Sequence, residues 1–172
     1  MMKAGVIMSN GNFDQELRHD RIVLEDGRPR KFVIAWAKET AIGRDITVSL
    51  KDIRAIQLAK GALRAGAEIL LRRYGVESPD RVILAGAFGT YIDKGHALAI
   101  GMLPDCPPER VTSVGNAAGD GAGVALLSVS KREEAAWAAS QVEYVELATD
   151  PDFQAEYVKA MRFGAAADGS AP

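Results

Sequence analysis

Apolar positions along the first third of the chain come in short runs. RIVLE (21–25), KFVIAW (31–36) and DITVS (45–49) are rich in β-branched residues, and Asp26-Gly27 between the first two is a strong hairpin signal. These runs predict three short strands in an antiparallel meander. Ahead of them, Ala4 to Met8 reads as the end of a helix or strand, and SNGN (9–12) as a turn. That is an odd opening for a domain, and it looks like a chain cut from something longer.

The period then changes. From Asp52 to Tyr74 apolar and small residues recur every three or four positions, as on an amphipathic helix. Ser49 and Asp52 have capping-box spacing, Gly75 suits a C-terminal cap and Pro79 follows. Two stripes run along this helix: Ala55, Ala59, Ala62, Gly66 and Ile69, almost all small, and Ile56, Lys60, Leu63, Ala67, Leu70 and Tyr74. The small stripe predicts close approach of another backbone. Gly61 and Gly66 each cost the helix about 1 kcal/mol against alanine.

Beyond the helix, RVILA (81–85) and VTSVG (111–115) are nearly continuous apolar runs, as expected of strands covered on both faces. Short helices are predicted near residues 95–101, 118–129 and 131–140. VEYVEL (142–147) alternates like a strand, and residues 150–163 read as a helix with Asp150 as N-cap and Pro151 at its first position. A meander followed by alternating helices and strands predicts an α/β fold with a mixed sheet of ribonuclease H-like topology. Residues 1–163 make one domain, and 164–172, small and polar, a disordered tail.

Composition narrows the function. With 172 residues, 48% hydrophobic and 26% charged, the chain can bury one ordinary core. The net charge of −2, with no basic face, excludes the electrostatic footprint of a nucleic-acid binder. Arg28, Arg30, Lys31, Arg72 and Arg73 read as solvated turn and helix ends. A single cysteine, Cys106, rules out an internal disulfide and a cysteine-ligated iron–sulfur cluster within this chain. His19 and His96 have no metal-ligand spacing, and the first twenty residues are neither signal peptide nor membrane span. A cytoplasmic location is expected, with no membrane or nucleic-acid partner. No hydrolase triad and no Walker A loop is readable.

Three features could carry chemistry. LAGAFGTYID (84–93) runs from an apolar strand into Gly86, Ala87, Phe88, Gly89 and Thr90, here read as a loop. Ligands bind beyond the carboxyl ends of parallel strands, and glycines there admit a purine, ribose or phosphate to the backbone. Tight helix packing explains the same glycines equally well. GNAAGDGAG (115–123) repeats the pattern with Gly115, Asn116, Gly119, Asp120 and Gly121. Its other reading is a helix capped by Asn116 and packed through its glycines on the long helix. Gln57 and Lys60 lie one turn apart on that helix, either snorkelling to water or reaching a ribose or phosphate.

Taken together, KDIRAIQLAKGALRAGAEILL, VILAGAFGTYIDKGHALAIGMLP, RVTSVGNAAGDGAGVALLS and VEYVELATDPDFQAEYVKAMRF resemble the C-terminal region of the ATP-dependent reductive activators of corrinoid proteins. The likeness is close over residues 50–163 and looser over 1–49. It implies an ATPase domain of the actin, hexokinase and Hsp70 (ASKHA) type. It also implies a full-length protein with an N-terminal [2Fe–2S] domain, a corrinoid protein as partner, a homodimer, and ATP with Mg²⁺ driving reduction of cob(II)alamin for methyl transfer. Residues 86–90 fall at the glycine-rich adenosine motif of such folds, Gln57 and Lys60 at polar ribose contacts, and GDGAGVALL at a hinge helix. The phosphate loops and the cluster cysteines of the family pattern have no counterpart here. The expectation is therefore an adenosine-side half that is inactive alone and binds nucleotide weakly if at all. A non-catalytic dimerisation or docking module on the same fold is the alternative, and a stand-alone small-molecule domain a third.

Overall fold

The computed structural model describes residues 1–164. The expected disorder of 164–172 therefore falls, Gly164 excepted, outside the described residues.

Strands β1 (Ile22–Glu25), β2 (Arg28–Ala35) and β3 (Ile46–Ser49) form the antiparallel meander, in the order β1-β2-β3. Asp26 and Gly27 take left-handed conformations, φ 51° and 72°, so a two-residue turn pairs Glu25 directly with Arg28. This tight turn starts β2 three residues earlier than the apolar run suggests. Pro29, which has no N–H to give, sits beside the register shift between Val23 and Leu24.

Helix α1 (Leu50–Tyr74) begins in a reciprocal cap: Ser49 Oγ accepts from Asp52 N, and the Asp52 carboxylate accepts from Ser49 N at 2.8 Å. It ends at Gly75, φ 79°. Neither expected stripe is its buried face. Ile53, Gln57, Lys60, Gly61, Arg64, Ala65, Gly66 and Ile69 are buried, while Ala55, Ala59, Ile56, Leu63, Leu70 and Tyr74 are exposed. The reason lies in what α1 meets. Loops with free carbonyls cover it on one side, so its long polar side chains go inward. Ile53 joins Val6, Ile7, Phe13 and Phe163 in the main core, with Phe32, Val48 and Ile100 packed around. The opening segment is therefore part of the core, and Ile7 bridges to Phe13 around the 9–12 turn.

Strands β4 (Val82–Leu84) and β5 (Val111–Ser113) pair in parallel as a separate two-stranded sheet. The meander and the parallel pair are thus two sheets rather than one. Ile83 is exposed, so β4 is not covered on both faces by the described residues. Helices α2 (Gly86–Tyr91) and α3 (Lys94–Ala99) follow β4, and α4 (Ala117–Leu127) and α5 (Val129–Gln141) follow β5, joined through Ser128. The GAFGT segment is helix, not loop. A Cβ at Gly121 or Gly123 would meet nothing within 4 Å, so α4 does not use these glycines to pack on α1.

Residues 142–146 alternate like a strand but pair with none. Leu147 instead packs over Gly66 of α1, where an added Cβ would lie 3.0 Å from its Cδ1. The final helix, α6 (Phe153–Ala160), is shorter than expected because Asp150 is engaged before it: its carboxylate accepts from Arg73 at 2.8 Å and from Asp152 N at 3.0 Å. Arg72 reaches Asp152 and Glu156 at 3.0 and 2.6 Å. The basic end of α1 is thus an anchor for α6, which lies along it.

Candidate functional site

The two glycine turns meet. Gly86 N donates to Gly115 O at 2.6 Å, and Ser113 Oγ donates to Gly89 O. The turns leave the carboxyl ends of paired parallel strands, so they flank one crevice. Their glycines serve different ends. Gly86 and Gly115 have φ of 75° and 63° with open space around them, so conformation alone demands glycine there. Gly89 is buried, and a Cβ on it would lie 2.3 Å from Leu84 O. That glycine lets α2 fold back onto β4. Thr90 Oγ1 donates to Gly86 O within α2 at 3.3 Å. Asn116 caps α4 by accepting from Gly119 N at 3.2 Å, and Asp120 and Gly121 are exposed on its first turns.

Beside these turns lies an apolar cavity of about 330 Å³. Leu63 and Ala67 of α1, Ile83 and Leu84 of β4, and Ala85, Ile92, Met102, Leu103 and Pro104 line it. Ala85 lines the cavity and is bonded to Gly86, so cavity and turn are continuous.

Gln57 and Lys60 are placed elsewhere. Gln57 Nε2 donates to Met161 O at 2.9 Å and Asn10 O at 3.2 Å. Lys60 is 1% exposed, and its Nζ donates to Ala160 O and Arg162 O at 2.5 Å and to Gly101 O at 3.4 Å, above the Phe163 ring. Both side chains bind the turn after α6 to α1. Burial, aided by the nearby Arg64 charge, pushes the Lys60 ammonium down to about 8. Its carbonyl cage keeps it charged at neutral pH.

Arg64 was not singled out by the sequence. Its guanidinium is buried, donating to Leu103 O, to Asp105 Oδ2 at 3.1 Å and to Glu68 Oε1 at 2.6 Å. Burial opposes its charge, but the Asp105 and Glu68 bonds and charges outweigh that and hold it above its ordinary value. The available signal was the one used for Lys60, a cation on the face of a helix that must pack. His96 is exposed beside Asp93, the N-cap of α3, and Cys106 is half-buried in the loop after Pro104. No group of three His, Cys, Asp or Glu able to hold a metal occurs among the described residues, and no described helix is long and apolar enough to cross a membrane. The cavity's apolar lining and the glycine turns suit a nucleoside. A lone cysteine does not suit a cysteine-held iron–sulfur cluster.

Residues 1–170 match the family described as the C-terminal domain of RACo, the ASKHA domain. The chain is 37% identical over 172 residues to the corrinoid activation enzyme RamQ of Eubacterium limosum, covering 95% of this chain and 29% of that protein. A solved structure of a reductive activator for a corrinoid, iron–sulfur protein superposes with a TM-score of 0.79 at 34% identity, covering 94% of this chain and 26% of that one. The chain thus spans less than a third of either relative, and within that span sequence and fold agree. This chain belongs to the family of C-terminal ASKHA domains of the corrinoid activators.

Proposed function

We propose that this chain forms the adenosine side of an ATP-dependent iron–sulfur protein that reduces a corrinoid protein from cob(II)alamin to cob(I)alamin for methyl transfer. The observation that carries the reading is the pair of interlocked glycine turns at the ends of β4 and β5, opening beside an apolar cavity. The cavity takes the purine face. Within residues 86–90 and 115–121, the open space at Gly86 and Gly115 lets ribose approach the backbone. Gln57 and Lys60 serve by bracing α1 against the turn after α6, which keeps the α1 wall in place. The [2Fe–2S] group, supplied by the rest of the protein, provides the electron. Phosphate and Mg²⁺ contacts come from there too.

Thermal unfolding of the 172-residue chain with adenosine, AMP and Mg-ATP tests this. All three should raise the midpoint equally and only at millimolar concentration, since this side meets the nucleoside and not the phosphates. A ligand at 100 times its Kd adds about 2.7 kcal/mol. Mg-dependent ATP turnover by this chain, or no shift with any adenosine compound, defeats the reading.

A second reading, docking or homodimerisation, draws on exposed apolar residues. Leu126 and Leu127 of α4 are 78% and 88% exposed and Trp137 of α5 is 66% exposed. Sedimentation of the isolated chain distinguishes the two: a monomer that binds adenosine supports the first alone.

A further inference from the structure

The loop of residues 102–106 forms one wall of the cavity, yet it has almost no backbone ties of its own. Met102 N donates to Ala97 O at 2.9 Å, and the next backbone donor bonded after it, among the described residues, is Arg110 N to Pro107 O. Between them the loop is held by Arg64. One guanidinium takes Leu103 O and both carboxylate oxygens of Asp105, at 3.4 and 3.1 Å, while Nε is fixed by Glu68 on the next turn of α1. The geometry is that of a planar fork, which a lysine cannot reproduce. Leu63, the residue before Arg64, lines the same cavity, as does Ala67. Adjacent residues of α1 therefore line the cavity and hold the loop that also lines it.

We propose that Arg64 is the positioning residue that sets the purine slot, holding Met102–Pro104 at the distance from Leu63 and Ala67 that grips a flat ring. The proposal rests on the adenosine reading above. It makes two properties move together: the order of the loop, and affinity for adenosine. Cys106, next to Asp105, reports the first, since it is the chain's only cysteine and half-buried.

The test measures the rate of Cys106 modification by Ellman's reagent in the 172-residue chain, with and without millimolar adenosine. Three variants are compared with wild type: Arg64→Met, Arg64→Lys and Asp105→Asn. The methionine keeps the apolar stem and strands no buried charge, because Asp105 and Glu68 have side chains 58% and 29% exposed. Should it nevertheless unfold, Asp105→Asn carries the test, as it weakens one arm of the fork at an exposed site. In wild type, adenosine should slow modification several-fold. In Arg64→Met the unliganded rate should rise about tenfold and adenosine affinity fall about tenfold, equivalent to about 1.4 kcal/mol. Arg64→Lys should recover little of either. Unchanged Cys106 rate and unchanged adenosine protection in folded Arg64→Met and Asp105→Asn would overturn the role of Arg64 while leaving the adenosine reading intact. Absence of protection in wild type overturns the adenosine reading, and the proposal with it.

Discussion

Replacing Gly89 by alanine separates the two kinds of glycine at the β4 exit. An alanine Cβ would sit 2.3 Å from Leu84 O and 2.7 Å from Leu84 C, both backbone atoms, and 3.1 Å from Ser113 Oγ. Leu84 cannot retreat freely, because its carbonyl accepts from Val114 N at 3.0 Å. Overpacking of this kind costs about 1–3 kcal/mol, and a strained backbone bond adds about 1. Alanine recovers about 1 kcal/mol through helix propensity within α2. The net loss should be about 1–3 kcal/mol, at the upper end because the clash is with held backbone atoms. At Gly86 the same change meets open space, so only its φ of 75° penalises alanine, by about 1–2 kcal/mol. Urea unfolding followed by circular dichroism reads both. Gly89→Ala should lower the midpoint more than Gly86→Ala, even though alanine is the better helix former. Equal or reversed losses would refute the close approach of α2 to β4. Gly86→Ala should stay folded, so a lost adenosine shift there speaks to the site rather than to the fold.

Lys60 predicts a pH dependence. Its folded value, about 8, lies below the ordinary 10.5, so between these limits the unfolded chain binds a proton that the folded chain does not. Stability contributed by this group therefore rises with pH across that window, by up to about 3 kcal/mol. Denaturant titrations of wild type and Lys60→Met from neutral pH to 10.5 should diverge there, the rise missing from the variant; parallel curves would contradict the burial of the charge. Gly11→Ala should cost about 3 kcal/mol, because φ is 82° and the Cβ would come within 2.6 Å of Gln57, a side chain held by Asn10 O and Met161 O. Gly61→Ala, whose Cβ would meet Met161 Cγ at 3.0 Å and Tyr157 Cε2 at 3.3 Å, with Met161 Cα at an ordinary 3.5 Å, should change stability by less than about 1 kcal/mol, as helix propensity offsets the crowding. Midpoints from the same urea titrations check both.

Local signals were legible in the sequence wherever one stretch of chain decides the outcome. The Asp26-Gly27 turn, the Ser49–Asp52 cap, the Gly75 stop and the Asn116 cap need only neighbouring atoms, and each is present. Most of the order of strands and helices was readable for the same reason, the helix at Gly86–Tyr91 and the missing strand at 142–147 excepted, and so was the family, whose motifs are contiguous. Partners distant in sequence decided the rest. Alternation in VEYVEL specified a strand that no edge receives, because Leu147 is drawn onto Gly66 instead. Periodicity showed that α1 has faces but not which one is buried. The loop carbonyls of residues 101, 103, 160 and 162 made it the face of Lys60 and Arg64. Even at the candidate site, sequence marked the glycines, while only the folded chain showed that Gly86 is needed for its φ and Gly89 for its closeness to Leu84. A sequence records conformational preference residue by residue. Which polar group must be satisfied by which distant carbonyl is settled only when the chain closes on itself.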